Sequence, residues 1–193
     1  MIKDLVINNR SCRGFDKSYT FSRKELEEYI DTARLCASSA NVQPLKYYLA
    51  CDSSEVLKIQ KQTKWAGALP DLNLPYDGQE PTAFIIICID TAIAANTNQF
   101  QKDVGIVAQT ILLEATENNL GGCMIGNFQP SELKKELSLA DNICPMLVVA
   151  LGKPIEKIVL TDVKEDGKTA YYRDEAGIHY VPKRALKDEI INN

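Results

Sequence analysis

A near-continuous apolar run over residues 82–90 is the feature that most restricts how this chain can fold. A strand that lacks polar alternation is covered on both faces, so the run predicts a buried strand. Residues 144–151 repeat the pattern just before Gly152 and predict a second one. Both runs fall far short of the roughly 18 apolar residues that a membrane-spanning helix needs. We therefore expect no membrane segment.

Two helices are predicted with clear boundaries. Ser22 and Glu25 form a capping-box pattern, and apolar residues then recur at helical spacing as far as Ala37. A longer helix begins near Phe100 and is predicted to end at the segment 118–122, a stop that terminates in two glycines. Shorter helices are predicted over 54–64 (with Ser54 as a possible cap), 131–139 and 184–193, and a short amphipathic helix containing Ile2, Leu5 and Val6 runs into Asn8. Shorter strands are predicted over 46–51 and 123–128. Because helices and strands mix without strict alternation, the sequence predicts an α+β fold with a mixed sheet.

Composition narrows the class of protein. The 193 residues carry 22 Lys+Arg against 26 Asp+Glu, and 45% are hydrophobic, which is typical of a globular chain and not of a disordered one. There is no basic stripe of the kind that nucleic-acid-binding proteins display, so we expect no nucleic-acid partner. The N-terminus lacks the apolar core of a secretory signal. These observations favour one domain over residues 1–193, located in the cytoplasm.

Six cysteines show no C-x-x-C spacing, so a metal site is not predicted. Cys36, Cys88 and Cys144 lie in apolar contexts and are expected to be core residues. Cys12 lies beside Arg13, and a nearby cation could lower the pKa of its thiol. A catalytic Cys12 is nevertheless disfavoured, because the chain's one histidine, His179, is far away in sequence. We expect His179 at the surface or in an interface.

Four polar or glycine-rich clusters are candidates for a binding site. Residues 10–13 combine two arginines and a serine, which suit a phosphate, although a solvated basic turn has the same composition. Residues 38–44 are small or amide-bearing and could read the edge of a planar heterocycle, or form an ordinary turn. Residues 121–128 place glycines around a short strand, where a ligand can approach the backbone or the strand can simply bend. The adjacent cations 183–184 are more often solvated than functional.

Taken together and in this order, the clusters resemble the FMN-dependent nitroreductase family, and specifically its short members. The motifs are Arg-Ser-x-Arg-x-Phe, Ser-Ser-x-Asn-x-Gln-Pro, Gly-x-Cys-x-Ile-Gly-x-Phe, a strand ending in Gly-x-Pro, and a late Lys-Arg pair. The resemblance covers essentially the whole chain. It implies a three-layer fold with a central mixed sheet flanked by helices, and a homodimer in which the tail, residues 155–193, extends over the partner.

The resemblance also assigns roles to individual residues. Arg10, Ser11 and Arg13 would hold the FMN phosphate and the polar edge of the ring, and Lys183 and Arg184 would close on the phosphate. The partner subunit would contribute a second set to the flavin, namely Ser38, Ser39, Asn41 and Gln43. The backbone N–H of Gly126 would face flavin N5, with Met124 and Ile125 lining one face of the ring. The chain departs from the family pattern at Ala37, Leu45 and Met124, which affects the details of ring stacking.

The implied activity is hydride transfer from NADH or NADPH, through FMN, to a nitroaromatic, a quinone or a similar small acceptor. No catalytic side chain is required, because the flavin carries the chemistry. Other flavin chemistry within the family, such as enone reduction or dehalogenation, remains open, and so does a flavin-binding or storage protein without turnover. Residues 65–81 are a candidate wall over the substrate side, in which Trp65 could equally be a packing residue.

Overall fold

The computed structural model describes residues 1–69 and 71–192. Pro70, within the irregular segment predicted over 65–81, and Asn193, at the end of the predicted C-terminal helix, lie outside the described residues. The helices are α1 (Ile2–Asn8), α2 (Arg23–Ala33), α3 (Ser53–Lys61), α4 (Gln101–Glu117), α5 (Pro130–Glu136) and α6 (Leu186–Glu189), with 3-10 turns at Ser39–Asn41 and Thr97–Phe100. The strands are β1 (Phe15–Asp16), β2 (Leu45–Ala50), β3 (Ala83–Asp90), β4 (Gly121–Ile125), β5 (Ile143–Pro154), β6 (Ile158–Asp162), β7 (Tyr172–Arg173) and β8 (His179–Lys183).

The central sheet has β3 and β5 in its middle, as their apolar sequences predict. β2 pairs with β3, β3 with β5, and both β4 and β1 pair with the other edge of β5. These ladders are antiparallel, and among the described residues a parallel contact joins this sheet at the single bridge between Ser11 and Gly122. The tail forms a second sheet in the order β6-β8-β7, where β6 and β8 are parallel. Mixed pairing is therefore concentrated in the tail.

Alternating side chains of β3 and β5 divide the core into two layers. Ile85, Ile87 and Val149 face α2 and α4, while Ile86 and Val148 face α3 and α5. All five are fully buried. This arrangement places helices on both faces of one sheet, so the predicted α+β class with three layers is confirmed.

Several predicted boundaries move, each for a local reason. The capping box at Ser22 is confirmed by reciprocal hydrogen bonds with Glu25. The cap of α3, however, is Asp52, whose carboxylate accepts from the Ser54 N–H at 2.9 Å, so the prediction of Ser54 was wrong. Helix α4 ends at Glu117, directly before the predicted stop segment 118–122. Asn119 takes the left-handed φ of 58° that follows the helix, whereas the glycine pair of that segment lies inside β4.

Within the described part of the chain, no helix combines the length and the apolar character needed to cross a bilayer.

Candidate functional site

A cavity of about 280 Å³ lies where the N-terminal segment, α4, β4 and the tail meet. Three cationic side chains line it, those of Arg10, Arg13 and Lys183, and no carboxylate is found among its described lining residues. A concave surface with charges of one sign attracts ligands of the opposite sign. We call this space the cationic cavity; its other lining residues are Asn9, Ser11, Gln109, Leu112, Met124, Ile158, Tyr171, His179 and Val181.

The glycine pair of β4 allows the N-terminal segment to reach this position. The Cys12 N–H donates to the Gly122 carbonyl at 2.9 Å, which fixes residues 10–13 along β4. A Cβ on Gly122 would lie 2.1 Å from the Ala150 oxygen, and one on Gly121 would lie 2.8 Å from Pro154 Cγ. Both glycines are thus required by close approach inside the sheet, a role that their interpretation as a helix stop did not anticipate.

Arg10 lines the cationic cavity and has a hydrogen-bond donor without a partner. Its Nη2 donates to the Val6 carbonyl at 2.7 Å, whereas its Nε is buried and makes no hydrogen bond. Burial lowers the pKa of Arg10 from its ordinary value. Guanidinium N–H groups bind phosphate and carboxylate oxygens strongly, so the Arg10 side chain is suited to an anionic group in the cavity.

Arg13 is buried and is held by the tail. Its backbone N–H donates to Glu156 Oε2 at 2.5 Å, and its guanidinium lies 5.0 Å from the centre of the Tyr171 ring. Glu156 in turn forms a salt bridge with Arg173, and both of these side chains are at most 10% exposed. The tail therefore closes one side of the cavity through a buried ionic network.

His179 belongs to the same network and is 2% exposed, so the expectation of a surface position was wrong. Its Nδ1 accepts from Arg173 Nε at 3.3 Å, and its ring lies 5.1 Å from that of Tyr171. Burial, with the nearby charges of Arg13 and Arg173, lowers the pKa of His179 to about 4. The imidazole is therefore neutral at physiological pH and adds no charge to the cavity.

Cys12 does not have the lowered pKa that its arginine neighbours suggested. Burial, reinforced by Glu156, raises the pKa of this thiol to about 12, and Arg13 and Arg10 only partly oppose the shift. The thiol donates to the Arg10 carbonyl at 3.2 Å. Cys12 is thus an inert packing residue, as is the predicted core residue Cys88, while Cys36 and Cys144 are half-buried.

The second predicted group, residues 38–43, lies beside a separate cavity of about 140 Å³, to which Ser38, Gln43 and Asp103 contribute lining side chains. Asp103, 2% exposed, accepts from Ser38 Oγ at 2.7 Å and from the Ser39 N–H at 3.0 Å. Gln43 Nε2 donates to Asn41 Oδ1 at 3.0 Å. Asp103 is the residue that sequence reasoning missed, although a carboxylate at the start of an apolar helix face was a usable signal.

The backbone of this loop is unusual. Ala40, Asn41 and Gln43 have φ values of 49°, 55° and 54°. Side chains other than glycine rarely adopt this left-handed region, and such strain is concentrated at binding and catalytic sites. Asp103 holds the loop in this conformation from beneath.

The remaining predicted residues separate according to their place in the structure. Met124 lines the cationic cavity, but strand alternation turns Ile125 into the core beside α3 and α5, so Ile125 does not line it. Gly126 is exposed, and a Cβ there would contact nothing within 4 Å. Lys183 lines the cavity, whereas its neighbour Arg184 is exposed and does not.

The irregular segment 65–81 lies away from the cationic cavity, since none of its described residues lines that space. Trp65 donates to Thr63 Oγ1 at 3.0 Å and packs against the core layer beneath α3 and α5. The packing interpretation of Trp65 is the one that the structure supports.

The chain matches the Nitroreductase family over residues 6–153. YodC of Bacillus subtilis, a candidate NAD(P)H nitroreductase, is 23% identical over 180 residues, which cover 79% of this chain and 89% of that protein. An oxygen-insensitive NADPH nitroreductase of Helicobacter acinonychis is 49% identical over 47 residues, but this match spans only 22% of that protein and 24% of this chain.

Solved structures show the same fold. A nitroreductase family protein of Streptococcus pneumoniae superposes with a TM-score of 0.69 at 18% identity, covering 100% of both chains. A candidate nitroreductase of Exiguobacterium sibiricum, solved in complex with FMN, has a TM-score of 0.67 at 15% identity, covering 81% of this chain and 89% of that one. The family match spans most of the chain and includes the Arg10–Arg13 segment, the 38–43 loop and β4. This protein is a member of the nitroreductase family.

Proposed function

We propose that this protein, as one domain over residues 1–193, is an FMN-dependent oxidoreductase. It would transfer hydride from NADH or NADPH to a nitroaromatic, a quinone or a similar small acceptor. The observation that carries the proposal is the cationic cavity, which is lined by Arg10, Arg13 and Lys183 and by no carboxylate among its described residues. Family membership and an FMN complex among the similar structures support the choice of flavin.

The residues present fit the cofactor. A phosphate needs concentrated positive charge and N–H or O–H donors, which Arg10, Ser11 and Lys183 provide in the lining of the cavity. Arg13, held by Glu156 and Tyr171, is a fixed cation that would stabilise negative charge on the polar edge of the ring. When bound, FMN supplies two-electron transfer between the nucleotide and the acceptor. The protein's own contribution is to bind, orient and tune it.

A homodimer would complete the site. Ser38, Ser39, Asn41 and Gln43 do not line the cavity of Arg10 and Lys183, and we propose that they contact the flavin bound to the partner subunit. Helix α4 contributes lining residues to both cavities and exposes Ile106 at 43%, and α1, which packs on α4, exposes Ile2 at 65%. Exposed apolar groups of this kind mark association surfaces.

The tail supports the same arrangement. Leu186 is 75% exposed and Ile191 is fully exposed, so the C-terminal segment presents apolar side chains that its own chain does not cover. In the proposal these side chains pack on the partner. Sedimentation analysis tests the dimer, and Ile106→Glu should shift the protein toward the monomer. Because the partner subunit completes the proposed site, the same variant should also weaken FMN binding.

The first experiment is an anaerobic absorption titration of the purified protein. Flavin bands that bleach with NADH or NADPH, and return with a quinone or a nitroaromatic, would support the proposed activity and identify the donor. A yellow protein that neither nucleotide bleaches would favour the flavin-storage alternative. A colourless protein that FMN cannot reconstitute would refute the proposal.

Two matched pairs of variants assign the phosphate site. Arg10→Ala should weaken FMN binding by about tenfold or more, because a charge-assisted hydrogen bond in a buried site contributes roughly 1.5–3 kcal/mol. Lys157→Ala, an exposed lysine outside the cavity, is the control. Lys183→Ala should weaken FMN binding more than Arg184→Ala does, because Lys183 lines the cavity and Arg184 does not. The opposite order would indicate that Arg184, and not Lys183, contacts the phosphate.

We also expect the protein to act in the cytoplasm, where both nucleotides are available; cell fractionation tests this location.

A further inference from the structure

Arg13 carries a buried charge whose side chain has no carboxylate partner. The residue is 9% exposed and lines the cationic cavity. Its Nη1 donates to the Ser11 carbonyl at 3.2 Å, and the guanidinium lies over the Tyr171 ring. None of the ion pairs between described residues includes this guanidinium. A charge in a buried position is weakly screened, so Arg13 acts strongly on a ligand in the cavity.

A carboxylate is nevertheless close to Arg13. Where β1 pairs with the end of β5, the Ile155 N–H donates to the Gly14 carbonyl at 3.1 Å, and the next residue, Glu156, is brought to Arg13. Glu156 Oε2 accepts from the backbone N–H of Arg13 at 2.5 Å. This carboxylate therefore binds the main chain of Arg13 and leaves the charge of its side chain unpaired.

Arg173 balances the charge of Glu156. Glu156 Oε1 accepts from Arg173 Nη2, and the two side chains are 7% and 10% exposed. Arg173 lies opposite His179 in the pairing of β7 with β8, and its Nε donates to the neutral ring of His179 at 3.3 Å. Neither Glu156 nor Arg173 lines the cationic cavity, so any effect of this pair on a ligand is transmitted through Arg13 or through space.

We propose that Glu156 and Arg173 are positioning residues that set how much positive charge Arg13 presents to the cationic cavity. Glu156 fixes the backbone of Arg13, and Arg173 prevents the carboxylate from neutralising the Arg13 guanidinium. The consequence for redox chemistry rests on the flavin activity proposed above. Hydride transfer from NADH or NADPH delivers two electrons and one proton, so it adds one negative charge to the ring. A stronger positive charge at Arg13 therefore favours reduced over oxidised FMN.

The reduction potential of the bound flavin tests this proposal through the sign of its shift. Glu156→Gln removes a negative charge and should favour reduced FMN about fivefold, whereas Arg173→Gln leaves the carboxylate unbalanced and should disfavour it by a similar factor. A fivefold change corresponds to about 20 mV for a two-electron couple, because tenfold corresponds to about 30 mV. The phosphate is the same in both redox states, so its binding does not contribute to this ratio.

Further variants separate charge from structural damage. The double variant Glu156→Gln/Arg173→Gln is neutral at both positions and should return the potential toward that of the wild type, and Arg173→Lys should stay close to it. Asp166→Asn and Lys168→Gln alter an exposed ion pair of the same tail and should leave the potential unchanged. A purely structural role would shift the two single variants in the same direction.

A second readout does not require the flavin. Inorganic phosphate is titrated into flavin-free, full-length protein while the amide signal of Ser11 is followed by NMR. Its binding should be about threefold tighter in Glu156→Gln and about threefold weaker in Arg173→Gln.

The proposal is overturned if the two single variants shift either readout in the same direction, if neither shifts it, or if the double variant does not compensate. Wild-type protein that fails to bind FMN would refute the proposed function, and the phosphate titration would then decide this inference. Where one single variant fails to fold, the other single variant and the double variant decide it.

Discussion

The buried ionic network that joins the N-terminal segment to the tail gives the sharpest test of how this site is built. Replacing Glu156 by alanine removes the acceptor of the Arg13 N–H and the salt-bridge partner of Arg173 in one step. Both side chains of that salt bridge are at most 10% exposed, so water cannot easily replace the lost carboxylate.

The expected cost follows from that burial. Breaking a buried ion pair from one side typically destabilises a protein by about 3–5 kcal/mol, because the remaining charge is left uncompensated. Among the described residues of the network, Arg173 would then keep the hydrogen bond to His179 and no carboxylate. We therefore expect Glu156→Ala to lower the free energy of unfolding by about 4 kcal/mol. For a chain of this length that corresponds to a fall in Tm of roughly 10 °C.

Urea unfolding and differential scanning calorimetry measure this change directly. The matched control is Asp166→Ala, which removes the exposed tail ion pair with Lys168 and should cost well under 1 kcal/mol. Glu156→Gln retains a hydrogen-bond acceptor without the charge, so its free energy of unfolding should lie between those of the wild type and Glu156→Ala. If Glu156→Ala and Asp166→Ala destabilise the protein equally, the network does not hold the tail, and the reasoning fails.

Three further predictions concern His179, the glycine pair and Asp103. The pKa of His179 in the folded protein is about 4, below its ordinary value of 6.5. The neutral imidazole therefore contributes its full stability above pH 6.5, and roughly 2–3 kcal/mol should be lost as the pH falls from 6.5 to 4. His179→Asn should flatten that part of a curve of unfolding free energy against pH, and parallel curves for the two proteins would contradict the prediction. Gly122→Ala should lower the free energy of unfolding in urea by about 3 kcal/mol, because its Cβ would overlap the Ala150 carbonyl. Gly126→Ala places its Cβ in open space and should lower that free energy by less than about 0.5 kcal/mol. Similar values for the two variants would refute the close-approach argument. Asp103→Ala removes the carboxylate that accepts hydrogen bonds from Ser38 Oγ and the Ser39 N–H, and it should weaken FMN binding about tenfold in a fluorescence titration. The control is Lys102→Ala, at an exposed neighbouring position, which should leave the affinity unchanged. Unchanged affinity in Asp103→Ala would show that the loop holds its conformation without Asp103.

Features that depend on a short stretch of chain could be predicted from the sequence. The apolar runs predicted that β3 and β5 are buried on both faces, and the Ser22–Glu25 pair predicted the start of α2. Residues 10–13 were identified as a basic candidate site from their composition, and Arg10 and Arg13 do line one cavity. Helical periodicity and capping involve neighbours within a few residues, so the local pattern contains the necessary information.

Solvent exposure and electrostatic environment were predicted less well, because they depend on residues distant along the chain. The arginine beside Cys12 suggested a low pKa for its thiol, but burial raises that pKa. The apolar strand at 123–125 did not show which side chain would face a ligand, since alternation turns Met124 and Ile125 to opposite faces only once the register with β5 is known.

The sequence alone determined the buried strands, the capped helix and the candidate cationic segment of this protein, because each arises from contacts or periodicity over a few residues. Only the tertiary structure decided that His179 is buried and neutral, that Asp103 supports the 38–43 loop, and that the tail closes the cationic cavity. The physical reason is separation along the chain. The hydrogen bond from the Arg13 N–H to Glu156 joins residues 143 positions apart, and no local pattern specifies such a pair before the sheet has brought them together.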